Sequence, residues 1–427
     1  MKNQTLEVNG RKYNASNAPI VVVCVDGSEP EYMDRAIEAG HMPWLAKIRE
    51  TGTDRIADCV VPTFTNPNNL SIVTGMPPSA HGIAGNFFWN PDTGEEVMMN
   101  DPKFLRCGTI LASFSEAGAR VAVITAKDKL RLQLGNGMTF GPGGGICFSS
   151  EKADEVTMAN NGIDDVLGLV DMPVPDVYSA ELSEFVFAAG LALMKRDRPD
   201  IMYLSTTDYI QHKHAPGAAV ANSFYSMMDH YWAELDALGC IIVITADHGM
   251  NAKHDPDTGE PVVVYLQSLL DERSGEGKTR VILPITDPYV VHHGALGSYA
   301  TIYLRGAEDS EVIEYLKKVD GILEVHTNAE ACEKFGLPPD RVGDIVVISD
   351  RNVTLGTSAE RHDLSGLTEP LRSHGGVTEQ KVPLIMNRAA PALAGDRVLR
   401  NFDAFDLAFN YATDETCLLY TSDAADE

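Results

Sequence analysis

Ile241-Ile242-Val243-Ile244-Thr245-Ala246-Asp247-His248-Gly249 decides the fold, because an unbroken apolar, β-branched run ends abruptly on two metal-type ligands and a glycine. Such a run reads as a strand buried on both faces, the habit of parallel sheets. The chain repeats the pattern: Val21-Val22-Val23-Cys24-Val25 leads into Asp26-Gly27, and Ile201-Met202-Tyr203-Leu204-Ser205 leads into Thr206-Thr207-Asp208. In open α/β sheets, ligands bind outside the carboxyl ends of the strands. Carboxylates at three such ends imply a shared cation, so a metal centre is the first expectation.

Outward from these runs, strand and helix patterns alternate. Strands are expected at Ile20 to Val25, Arg55 to Val61, Ala119 to Thr125, Ile201 to Ser205 and Ile241 to Thr245. Helices are expected at Met42 to Thr51, around Asn69 to Thr74, at Ala180 to Lys195 and at Ala218 to Leu238. The alternation predicts an α/β fold whose mostly parallel central sheet is flanked by helices. Phe140 to Asp176 reads as loop with short helices. Gly141 to Gly145 within it lacks the Gly-Lys-Ser/Thr ending of a nucleotide loop and reads as a connection. After Pro261 come Tyr299 to Leu304, a helix from Asp309 to Val319, Ile322 to His326, a helix from Ala329 to Phe335, and Asp344 to Ser349. So tight a series suggests a small inserted α+β lid. The expected division is a metal-binding α/β catalytic core at 1–260 and 366–414, a cap at 261–365, and a tail at 415–427 that is set aside.

The 427 residues carry a net charge of −27, which argues against nucleic acid and anionic lipid as partners, since both require clustered Lys and Arg. No apolar stretch is long enough for a membrane span, and Met1 to Asn17 has no signal-like apolar segment, so a cytoplasmic location is expected. The seven cysteines have no paired metal or redox spacing and read as small buried hydrophobes. An anionic substrate on so acidic a protein requires local cations.

Asp208 and His212 lie four apart where a helix begins, so one face presents both. An aspartate there also caps helices. His374, in Arg372-Ser373-His374-Gly375-Gly376, supplies a third partner, so Asp208, His212 and His374 form one expected metal set. Asp26, Asp247 and His248 form a second, with Gly249 giving the chain freedom to turn. The nucleophile candidate is Thr65, in Pro62-Thr63-Phe64-Thr65-Asn66-Pro67. Pro67 suits a first helical turn, which places Thr65 at a helix N-terminus, where the backbone favours an anion. A plain capping role for Thr65 is the alternative.

Strand-Asp26, Thr65-Asn66-Pro67 with Ser71-Ile72-Val73-Thr74-Gly75, His81-Gly82-Ile83, Asn86, Asp208 with His212, Asp247-His248-Gly249-Met250 and His374-Gly375 together resemble the alkaline phosphatase superfamily. The similar branch is the nucleotide pyrophosphatase/phosphodiesterase type, and the resemblance runs from about Ile20 to Asn410. Threonine as nucleophile, with Thr125-Ala126-Lys127-Asp128-Lys129 at a strand end, is similar to the members that hydrolyse phosphonoacetate.

The resemblance implies two divalent ions, zinc by preference although the ligands also suit manganese or iron. Asp208, His212 and His374 would hold one; Asp26, Asp247, His248 and the Thr65 oxygen would hold the other. It implies that Asn86 donates to an oxygen on phosphorus and that Lys127 and Lys129 grip the substrate carboxylate. An extended segment would put both ammonium groups on one side. Two divalent ions against three aspartates and a Thr65 alkoxide leave the site near neutral. The two lysines then make it positive, which suits a small anion such as phosphonoacetate. The expected reaction cleaves its carbon–phosphorus bond through a phosphothreonine, giving acetate and phosphate. The alternatives are phosphodiesterase or nucleotide pyrophosphatase activity on the same scaffold, or phosphoryl transfer. A homodimer stays open, and His214, His292 and His293 receive no role.

Overall fold

The computed structural model describes residues 5–90, 93–285 and 295–413. Its central sheet has seven strands, in the order Thr53–Asp58, Lys381–Met386, Ile241–Thr245, Ile20–Cys24, Ile201–Ser205, Val121–Thr125 and Ile146–Ser149. Lys381–Met386 runs antiparallel to both of its neighbours, and every other pairing is parallel. The sheet is therefore mixed and mostly parallel, flanked by helices.

All residues of Ile20–Cys24, Val121–Thr125, Ile201–Ser205 and Ile241–Thr245 are buried. Strand alternation sends Ile20, Val22 and Cys24 into one core with Leu70, Phe114 and Phe405. Val21 and Val23 enter the other core, with Phe185, Tyr225 and Trp232. Two covered faces disfavour polar residues, which is why these runs stay apolar up to their ends, where Thr125, Ser205 and Thr245 stand. In the register, Cys24 pairs with both Thr245 and Ser205, so the three parallel strands end level. Asp26, Asp247 and Asp208 leave from that one edge.

Several boundaries differ from the sequence reading. The strand expected to Val61 stops at Asp58, because the Asn68 side chain takes over the backbone: it accepts from Val60 N at 2.7 Å and donates to Val60 O at 3.1 Å. The Phe140–Asp176 stretch contains the edge strand Ile146–Ser149, four residues too short to show a period. Leu6–Val8 and Arg11–Tyr13 form a hairpin in a segment read as merely polar, with Tyr13 buried against Phe114 and Phe409.

A second sheet orders Thr279–Ile282, Tyr299–Leu304, Ile345–Ser349 and Ile322–Thr327, antiparallel throughout. Helices Asp309–Leu316 and Asn328–Phe335 accompany it. Its Tyr299, Ile302 and Val347 belong to the same apolar core as Val22 and Val243 of the central sheet. No described helix is long and apolar enough to cross a membrane. The described cysteines are all free: Cys24, Cys59, Cys147 and Cys240 are buried, while Cys107 and Cys332 are only partly so. The tail at 415–427 with Cys417, and His292 and His293, lie outside the described residues.

Candidate active site

Gly27 turns the chain directly after Asp26 with φ of 68°, and a Cβ there would meet Asp208 Cβ at 3.0 Å. Only glycine permits both the left-handed turn and that approach. Gly249 acts otherwise: its backbone N–H donates to Glu379 O at 2.8 Å, and a Cβ would lie 3.2 Å from that oxygen. Close packing explains this glycine, rather than the freedom to turn.

Asp208 precedes helix Tyr209–Lys213, and one turn on, His212 Nε2 lies 2.9 Å from Asp208 Oδ2. His374 Nε2 approaches the same oxygen at 3.6 Å. Ligand atoms of Asp208, His212 and His374 lie within 4.8 Å of one another, and so do those of Asp26, Asp208 and His248. Asp208 thus stands between both expected sets. His248 Nε2 is 3.2 Å from Asp26 Oδ1, 3.4 Å from Thr65 Oγ1 and 3.7 Å from Asp247 Oδ2. Asp247 sits behind: its Oδ1 accepts from Gly27 N and His248 N, and its Oδ2 accepts from Asn69 Nδ2.

The donor set fits divalent cations. His212 Nδ1 meets Arg372 O at 2.7 Å, His248 Nδ1 meets Gly249 O at 2.9 Å, and His374 Nδ1 meets Thr63 O at 2.6 Å. A carbonyl oxygen only accepts, so each Nδ1 carries the hydrogen and each Nε2 presents a lone pair to the cluster. Asp26 Oδ1 is buried with His248 Nε2 at 3.2 Å beside it; when that nitrogen carries a lone pair the oxygen has no donor and is available to a cation.

Electrostatics points the same way. Burial, then Asp208 and Asp247, push Asp26 well above the carboxylate range. Burial opposes a charge on His248, but Asp247, Asp26 and Asp208 overrule it and push the ring up to about 10. Burial likewise opposes charge on Asp208, yet His212, His374 and His248 hold it well below its ordinary value. The rises of Asp26 and His248 share one origin, negative charge confined in a low-dielectric site, and the fall of Asp208 is the histidines' answer to it. A proton on His248 Nε2 and a cation beside it are alternative ways to relieve it.

Thr65 is the first residue of helix Thr65–Thr74, and Asn66 through Thr74 are all buried. The N-terminal turn faces the cluster with its backbone N–H groups and positive dipole end. Two asparagines that sequence reasoning missed hold this turn. Asn68 Nδ2 donates to Phe64 O at 3.1 Å, and its Oδ1 accepts from Asn401. Asn69 Nδ2 donates to Thr65 O at 3.0 Å and to Asp247 Oδ2 at 3.2 Å, while its Oδ1 accepts from Tyr203 and Ser205 hydroxyls. The available signal was three amides, Asn66, Asn68 and Asn69, crowded into one helical turn.

A cavity of about 230 Å³ opens above the cluster. Asp26, Thr65, Asn86, Asp208 and His374 line it, together with Lys127 and Lys129. His212, Asp247 and His248 lie buried beneath it. Asn86 is held by its N–H to Pro284 O at 2.7 Å, and its Nδ2 reaches Ile285 O at 3.4 Å. The lysines are not in one extended segment. Lys127 is extended, but helix Asp128–Leu134 begins directly after it, so Lys129 sits in the first helical turn. Asp128 between them turns to Arg131 Nε at 2.6 Å and Ser149 Oγ at 2.9 Å. His214 does not line the cavity; its backbone oxygen accepts from Tyr32 OH.

The sequence model of the type I phosphodiesterase / nucleotide pyrophosphatase family matches residues 20–376. Phosphonoacetate hydrolase from Sinorhizobium meliloti 1021, solved in complex with phosphonoacetate, is 59% identical, with a TM-score of 0.93 over 97% of this chain and 100% of that one. Murine ectonucleotide pyrophosphatase / phosphodiesterase 5 shares the fold at 18% identity and a TM-score of 0.61, over 91% of this chain and 93% of that one. Ectonucleotide pyrophosphatase/phosphodiesterase family member 1 of Rattus norvegicus is 26% identical over 250 residues, 54% of this chain. An uncharacterized pyrophosphatase/phosphodiesterase of Schizosaccharomyces pombe is 31% identical over 93 residues, 21% of this chain. The matched stretches span only 24% of the rat protein and 18% of the yeast one.

Proposed function

The chain belongs to the type I phosphodiesterase / nucleotide pyrophosphatase family, and from that premise we propose that this hydrolase cleaves the carbon–phosphorus bond of phosphonoacetate, releasing acetate and phosphate. The observation that carries the proposal is one cavity, lined by both Thr65 and the pair Lys127 and Lys129. Phosphorus beside Thr65 would leave the carboxylate, one methylene away, for the ammonium groups to clamp. The Sinorhizobium meliloti enzyme, bound to phosphonoacetate and 59% identical, supports the same substrate.

Asp208, His212 and His374 would hold one divalent cation, and Asp26, Asp247 and His248 with the Thr65 oxygen the other; bound there, the pair, zinc in our reading, would polarise oxygens on phosphorus and make the Thr65 hydroxyl more acidic. Thr65 Oγ1, its proton passed to solvent, attacks phosphorus in line, forming a P–O bond as the P–C bond breaks. The electron pair leaves on the methylene carbon and spreads into the carboxylate, where Lys127 and Lys129 stabilise it; a solvent proton then completes acetate. Asn86 donates to an oxygen on phosphorus. Water next attacks the phosphothreonine, the Thr65 P–O bond breaks, and Thr65 regains its proton as phosphate departs.

The test is phosphate release from phosphonoacetate beside an aryl phosphodiester, on protein stripped with chelator and refilled with zinc. Preference for phosphonoacetate, lost on stripping and restored by zinc, is expected. Preference for the diester would favour phosphodiesterase activity and leave the two lysines without a part in substrate choice.

A further inference from the structure

A second cavity of about 250 Å³ adjoins the reactive one, and Tyr178 and Tyr209 line both. The far side is lined by His212, Lys213 and the segment 366–371. The two tyrosine rings stand 6.2 Å apart, tilted by 46°. Each carries a lysine on its face: Lys127 Nζ is 5.6 Å from the Tyr178 centroid, and Lys213 Nζ is 4.9 Å from that of Tyr209. Tyr209 directly follows Asp208 and is fixed by the helix that presents His212. Tyr178 instead sits on the link between helices Val166–Val170 and Glu181–Arg196. Its N–H bonds Asp176 Oδ1 at 2.7 Å, and Ser179 Oγ bonds Asp176 O at 2.8 Å.

We propose that Tyr178 sets the substrate size: with Tyr209 it divides the reactive cavity from the second one, and its ring face steadies Lys127, so the site takes small phosphonates and turns away bulky esters. The reactive cavity alone, at about 230 Å³, is below the roughly 300–1,000 Å³ of sites for drug-sized ligands, and a phosphonate with a two-carbon acid needs no more; joined to the second cavity of about 250 Å³ it would fall within that range. A diester with two aryl groups would have to cross the tyrosine pair. The ring also offers Lys127 an electrostatic rest, its Nζ 5.6 Å from the centroid. Tyr178 is 40% exposed, so the fold does not depend on its side chain. The identity of the small substrate rests on the phosphonoacetate proposal; the partition does not.

The test compares kcat/KM for phosphonoacetate, methyl 4-nitrophenyl phosphate and bis(4-nitrophenyl) phosphate in the zinc-loaded wild type, Tyr178→Ala and Tyr178→Phe. In Tyr178→Ala, phosphonoacetate should lose through KM while the bulky diester gains outright, shifting their ratio by about ten-fold or more. Gain on a larger substrate cannot come from damage to the fold. Tyr178→Phe keeps the ring and should return the ratio toward that of the wild type. An unchanged ratio of bulky to small diester in Tyr178→Ala would overturn the proposal. Should the wild type leave phosphonoacetate intact, the substrate assignment fails, and the two diesters alone still decide whether Tyr178 measures size.

Discussion

Glu379→Gln tests how the two histidine-bearing turns are held together. Glu379 and Lys253 form a fully buried pair at 3.0 Å. The carboxylate also accepts from Asn251 Nδ2 at 2.5 Å, Thr378 Oγ1 at 2.5 Å and Gly376 N at 2.9 Å. Its backbone oxygen accepts from Gly249 N at 2.8 Å. One residue thus ties the turn after His248 to the turn after His374, and their rings stack 3.5 Å apart. Neutralising it leaves the Lys253 ammonium with the Arg351 carbonyl oxygen, at 2.6 Å, and an amide. Breaking a buried pair from one side costs about 3–5 kcal/mol. Spread over an unfolding entropy of roughly 2.1 cal/mol/K per residue, this lowers Tm by about 3–6 °C.

The sign with pH follows from the lysine. Burial already lowers Lys253, with Glu379 as the main opposing influence, so the substitution lowers it further. The unfolded state then binds the extra proton, and stability rises with pH. The deficit of Glu379→Gln should shrink by up to about 1.4 kcal/mol per unit between pH 7 and 9. Thermal unfolding at both values checks this, with Lys253→Met/Glu379→Gln expected to recover most of the loss. A double variant as unstable as the single one would refute the charge-pair reasoning. Zinc affinity should fall by about ten- to a hundred-fold, as for groups that orient metal ligands.

Thr65→Ala should keep cation binding, measured by metal analysis after gel filtration, yet lose turnover; substantial residual activity would rule out the covalent route. Lys129→Ala should damage phosphonoacetate cleavage by about ten-fold or more relative to an aryl phosphate, given charge-assisted bonds of roughly 1.5–3 kcal/mol. Equal losses on both substrates would sink the clamp. Asn69→Ala leaves the buried Tyr203 and Ser205 hydroxyls without their shared acceptor and frees the Thr65 turn, so it should cost about 2–4 kcal/mol in stability and lower kcat. A variant with wild-type kcat would mean that the turn holds itself.

The sequence revealed what repeats and hid what happens once. Ile20–Cys24, Ile201–Ser205 and Ile241–Thr245 were legible because burial on both faces forces continuous apolar runs, and their level ends made Asp26, Asp208 and Asp247 converge. Asp208 with His212 was legible because a helical turn places residues four apart side by side. That Asp208 stands between both clusters was not legible, since it depends on its carboxylate also lying within 4.8 Å of ligand atoms of Asp26 and His248, a closeness that spacing in the chain does not record. Asn68 and Asn69 escaped because an amide in a helix announces no partner; theirs lie on Val60, Asn401, Tyr203 and Asp247. The lysine pair was found by its strand end but misread in conformation, because Asp128 opens a helix that the i, i+2 spacing cannot show.

The crowding of carboxylates has a consequence for folding itself. Asp26, Asp208 and Asp247 sit within reach of one His248 ring, and Asp26 is raised by burial and by the other two. Their mutual repulsion is a standing cost that a divalent cation removes, so binding energy becomes stability. At zinc a hundred-fold above its dissociation constant the gain is about 2.7 kcal/mol per site, or roughly 3 °C in Tm by the same entropy. Asp26→Asn separates this from ordinary packing: it removes one negative charge while keeping the side chain's shape. The chelated variant should melt at or above the chelated wild type, and the zinc-induced rise should shrink. A chelated Asp26→Asn that melts well below the chelated wild type would show instead that the aspartate is held by favourable contacts of its own, and the case for a site built around cations would lose its electrostatic half.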